Sequence, residues 1–138
     1  MVARLRTRDP TVAGLSAQAF GIAPKIREAD AWLHCHPDAE EWLHECHPEL
    51  AFLAMASVVL PPKRTPQGRE QRCEQVAAWF PDAPRTIAES RFGAREAQLP
   101  DVLDAYAALA SALRVRAGEH TQLGGERDAA GLVMRIVY

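Results

Sequence analysis

Apolar residues recur through "GLSAQAFGIAPKIREADAWL" at Phe20, Ile22, Ile26, Ala29 and Leu33, a spacing that predicts a helix over about 16–33. Ser16 stands at the N-cap position and Pro24 implies a bend. "HCHPDAEE" carries Pro37 and Asp38 and reads as a loop, and "WLHECH" after it as a short strand ending before Pro48. Pro48 has the place of a first-turn proline, opening "PELAFLAMAS" as a helix apolar enough to be buried. The implied order is strand, sharp turn, helix.

"LPPKRTPQG" is proline-rich and reads as a loop. The helix expected after it in "PQGREQRCEQVAAWF" puts Cys73, Val76, Ala77 and Phe80 on one face and charge on the other. The pattern from Pro81 to Gln98 is ambiguous. "PDVLDAYAALASALRVRAGE" is the clearest helix, with a stripe of Val102, Leu103, Tyr106, Leu109, Ala110 and Leu113, and Gly118 is placed to end it. "GGERDAAG" reads as a loop leading to a terminal strand, "LVMRIVY". The length fits one domain over residues 1–138.

A net charge of −2, with both signs interspersed, sets up no field over the whole protein that would attract a polyanion, so nucleic acid would have to be held locally. The longest apolar run, "LAFLAMASVVLPP", is shorter than the roughly 20 residues a spanning helix needs, so no membrane partner is expected. "MVARLRTRDP" lacks a hydrophobic leader, and the three cysteines do not make a disulfide framework; the expected location is the cytoplasm.

Three constellations carry possible chemistry. Cys35, His36, His44, Cys46 and His47 all bear zinc-ligating atoms, but Cys46 and His47 are adjacent and point to opposite faces of a strand. Solvated loop histidines and a small buried cysteine account for them better, and zinc is not expected. A second set is acidic. Glu45 and His47 share a strand face, Glu49 follows the turn, and Asp101 and Asp104 project within about 60° of one another on a helix start. Oxygen ligands from separate elements suit Mg²⁺ or Mn²⁺, although acids in a first turn also complement the helix dipole without any function. The third is the loop "PPKRTPQGR", where Lys63, Arg64 and Thr65 could face a phosphate or simply be solvated. No Walker, dinucleotide or nucleophile-elbow motif is present.

Taken in order, "LSAQAFGIAPKIREAD", "HECHPELAF", "PPKRTPQGRE", "DVLDAYAAL" and "GLVMRIVY" resemble the blocks of a family of predicted nucleases, domain of unknown function 429. The resemblance runs from Gly14 to Tyr138. It implies a mixed α/β, RNase H-like fold in which a central strand ends in an acid and a late helix brings further acids to it. Glu45, His47 and Glu49 match the E-x-H-P-E block, and Asp101 and Asp104 match D-x-x-D-A. Lys63, Thr65 and Gly68 match the lysine-threonine loop, with Arg64 where a second lysine is more usual. Such a site implies Glu45, Asp101 and Asp104 as catalytic metal ligands for Mg²⁺ or Mn²⁺, His47 and Glu49 in support, and the lysine loop against the phosphates of a nucleic acid.

The chain departs from that pattern at its start. "MVARLRTRDPTVAG" cannot supply the strands that precede the first helix in this fold, and Asp9 lies beside Pro10 in a turn-like context. The expectation is an N-terminally truncated domain with a reduced sheet and a flexible or atypical segment over residues 1–13. Three alternatives account for the missing strands: the protein starts upstream, a companion polypeptide or second copy supplies them, or the chain is a degenerate copy that folds differently. The rival to a nuclease is a non-catalytic interaction module associating through the open sheet edge.

Overall fold

The computed structural model describes residues 17–89 and 97–138. The expectations for Ser16, Asp9 and residues 1–13 lie outside them. Two compact units divide the chain, one ending at Trp42 and the other running from Leu43 to Tyr138. The first unit holds helix α1 (Ala17–Cys35), with Pro24 inside it, and a 3-10 turn over Pro37–Glu41 where a loop was expected. The ring of His36 stacks on Trp32 with centroids 4.1 Å apart, and Trp42 meets Trp32 edge-on at 6.1 Å. Buried Ala39 anchors the turn, while Phe20, Ile22 and Ile26 remain exposed.

The second unit places a small mixed sheet beside four helices: β1 (Glu45–Cys46), α2 (Pro48–Ala56), α3 (Pro66–Trp79), α4 (Ala83–Glu89), α5 (Leu99–Ala117), β2 (Gln122–Arg127) and β3 (Val133–Val137). Pro48 lies in the first turn of α2, as its missing N–H and fixed φ favour. Ser57 ends that helix in the left-handed region at φ 56°. Thr65 caps α3, and Gln98 with Asp101 forms a capping box at the start of α5, which Gly118 closes at φ 71°.

The core is where α2, α3 and α5 meet. Phe52 and Met55 from α2, Val76 from α3, Ala83 from α4, and Leu103, Ala107 and Ala110 from α5 are buried together. The buried face of α5 is turned relative to the expected stripe: Ala107, Ala110 and Ser111 face inward, whereas Leu109 is 45% and Leu113 42% exposed. Small side chains let α2 and α5 approach closely, so the larger leucines fall outside the contact.

Strand order is β1-β3-β2, with β1 parallel and β2 antiparallel to β3. Glu45 pairs with Ile136 and Cys46 with Val137, so among the described residues the acid-bearing strand is at the sheet edge and not its centre. "GGER", expected as loop, belongs to β2. Gly124 takes φ 76°, and a Cβ there would lie 2.4 Å from the Met134 carbonyl oxygen. Tertiary pairing with β3 and a register shift between Gly124 and Glu126 overrule the loop-like composition.

Candidate functional site

The loop from Leu60 to Thr65, joining α2 to α3, is fixed by a residue absent from the sequence-derived candidates. Arg72 is 2% exposed although its helix face was expected to carry solvated charge. It donates from Nη1 to the carbonyl oxygens of Pro61 (2.8 Å) and Gly68 (2.6 Å), and from Nη2 to Glu49 Oε2 (2.6 Å). Its guanidinium lies 5.4 Å from the Phe52 ring centroid. Thus Glu49, in the first turn of α2, is tied through Arg72 to the basic loop. The signal was available: Gly68, Arg72 and Val76 are spaced four apart and all are buried.

Thr65 explains the tight loop geometry. Its Oγ1 accepts from the Gly68 backbone N–H at 3.0 Å and donates to the Pro62 carbonyl at 2.8 Å. Gly68 must lack a side chain there, because a Cβ would come within 2.2 Å of the Pro62 oxygen. The Arg64 carbonyl accepts from Arg69 at 3.2 Å, and the Arg64 side chain is exposed.

Lys63 reaches from this loop to α5, where its Nζ contacts Asp104 Oδ2 at 3.1 Å. The two side chains are 48% and 27% exposed, so the pair is open to ligands. Beside it, Lys63, Arg69, Arg72 and Asp104 join Pro100 and Leu103 around a cavity of about 10 Å³, room for about one water. Cationic side chains thus outnumber carboxylates around this cavity.

The other expected site residues lie apart from that pair. Asp101 Oδ2 accepts from the Gln98 backbone N–H at 2.8 Å, the dipole-complementing role that acids in a first turn commonly have. Glu45 and His47 are exposed and flank half-buried Cys46 on β1, whose thiol donates to Ser111 Oγ at 3.4 Å. Among the described residues no three His, Cys, Asp or Glu side chains are grouped closely enough to hold a metal ion. Glu45, Asp101 and Asp104 therefore do not converge as a metal cage in this arrangement.

His47 and Glu49 also border an apolar cleft of about 360 Å³, lined mainly by Leu50, Phe52, Leu53, Val59 and Leu60. His44, just before β1, has its pKa lowered from the ordinary histidine value, first by desolvation and then by the positive charge of Arg135 and the ring of His120. The β1–β3 register accounts for Arg135 as a neighbour, since Glu45 pairs with Ile136 one residue further along each strand.

No helix among the described residues is long and apolar enough to cross a membrane. The chain belongs to the family described as "Protein of unknown function (DUF429)", which it matches over residues 2–129. No curated protein and no solved structure matches the chain.

Proposed function

We propose that this is a nuclease-like domain of RNase H-like ancestry that engages the phosphodiester backbone of a nucleic acid at the surface around Lys63 and Asp104. The observation that carries this reading is the 3.1 Å contact between those two side chains, which joins the lysine-threonine loop to the D-x-x-D helix across 41 positions. Lys63 supplies a mobile point charge for a phosphate oxygen, and exposed Arg64 and Arg69 extend the basic surface. Thr65 shapes the loop by capping α3.

Mg²⁺ or Mn²⁺ held by Glu45, Asp101 and Asp104 belongs to this reading through the family. It would supply Lewis-acid chemistry at the phosphate. No hydrolytic step follows from the present positions of those carboxylates, with Asp101 engaged in a helix cap. The chain's own residues supply phosphate binding and, at half-buried Asp104, a carboxylate whose Oδ2 is held by Lys63.

A Mn²⁺ titration by calorimetry, run beside Asp104→Asn and followed by cleavage assays on DNA and RNA, tests both parts. The expected result is saturable binding that the substitution abolishes, with oligonucleotide affinity reduced by Lys63→Ala. Equal oligonucleotide affinity in Lys63→Ala and the parent chain would remove the phosphate-binding assignment.

A second reading, a non-catalytic interaction module, has its own observation: all six residues of β2 are exposed, and none of the described strands pairs with its outer edge. In that case Gln122→Pro, at a position whose N–H points away from β3, would abolish association while leaving Mn²⁺ binding unchanged.

A further inference from the structure

Helix α1 exposes apolar side chains in a coiled-coil repeat, and we infer that it pairs in parallel with α1 of a second copy of this chain. Ile22, Ile26, Ala29 and Leu33 are spaced four, three and four apart, the alternation of core positions in a heptad. Ile22 is 49% and Ile26 58% exposed, although an aliphatic stripe of this regularity gains most when covered. Pro24 falls on the opposite side of the helix, where its ring does not intrude on the seam.

Charge selects the occupant and its direction. With Ile26 and Leu33 at first-core positions and Ile22 and Ala29 at second-core positions, Lys25 and Asp30 occupy the two flanking positions that face across a coiled coil. They are five residues apart, the separation at which such groups meet between parallel, in-register helices. A two-fold axis along the pair therefore sets Lys25 against the partner's Asp30 twice. Antiparallel pairing that overlaps the same four core positions would instead set Lys25 against the partner's Trp32 and Asp30 against the partner's Ala23, leaving both charges without a counter-charge. The seam residues and those of β2 do not overlap in sequence, so the two associations predict different mutational patterns.

The test is sedimentation velocity of the full chain from about 10 to about 500 µM, the range expected for so short a seam. The parent chain should show a concentration-dependent dimer. Ile26→Asp should weaken it about tenfold or more, with its circular dichroism unchanged because the residue is exposed. Lys25→Asp should weaken it, and Lys25→Asp combined with Asp30→Lys should restore it. A parent chain that stays monomeric throughout would overturn the inference, as would a dimer untouched by Ile26→Asp. Failure of the double charge exchange to restore association would overturn the parallel arrangement.

Discussion

The pairing of Arg72 with Glu49 makes a quantitative prediction, because one partner is buried and the other is not. The Arg72 side chain is 3% exposed and that of Glu49 40%. Arg72→Met keeps an unbranched stem beside Phe52 but removes every guanidinium hydrogen bond, leaving the Pro61 carbonyl without this donor. A hydrogen bond to a charged group contributes about 1.5–3 kcal/mol, so a loss of about 3 kcal/mol is expected. Glu49→Gln keeps an acceptor beside Arg72 while removing its charge. Breaking a fully buried pair costs about 3–5 kcal/mol, but partial exposure of Glu49 brings this isosteric change down to about 1.5 kcal/mol. In the Arg72→Met background Glu49 is hydrated, and the same change should cost nearly nothing. The coupling energy from urea unfolding followed by circular dichroism is therefore about 1.5 kcal/mol. If Glu49→Gln cost the same in both backgrounds within about 0.5 kcal/mol, the pair would not be what holds the loop.

Gly68→Ala should destabilise by about 3 kcal/mol or displace the basic loop, since the added Cβ would lie 2.2 Å from a backbone oxygen that cannot swing aside; thermal melting checks the first effect and hydrogen exchange at the Thr65 amide the second. His44 sets a pH dependence. Its folded pKa is lowered, so the folded state binds fewer protons than the unfolded state, and stability should fall as pH drops below about 6.5 toward the folded value. His44→Gln should flatten that part of a melting-temperature profile measured between pH 7.5 and 5; an unchanged slope would show that the imidazole contributes nothing there.

Much of this arrangement is legible from local rules. Pro48 and Gly118 announce helix ends because their backbone chemistry acts within a few residues, and the order of strand, turn and helix around Pro48 follows from it. What local rules miss depends on partners far along the chain. Arg72 reads as a surface residue until Glu49 and the Pro61 carbonyl are brought around it. Gly124 reads as loop until β3 supplies a strand to pair with. The stripe on α5 was expected from apolar periodicity, and Leu103 and Ala110 on it are buried, yet close helix packing covers Ala107 and Ser111 and leaves Leu109 and Leu113 exposed.

The candidate site shows the same division, and it changes what the two aspartates mean. Spacing alone treats Asp101 and Asp104 as equivalent neighbours on one helix start. The fold gives them different work: Asp101 satisfies a backbone N–H that the helix would otherwise leave without a partner, while Asp104 reaches across to Lys63. Asp101 is accordingly the costlier carboxylate to divert to a ligand, since recruiting it would also release the cap. Asp104 exchanges one exposed partner for another, at the modest cost of a partly solvated ion pair. A cation or a phosphate arriving at this surface therefore competes first with the Lys63–Asp104 contact, and the response of Asp104 is the more direct measure of function.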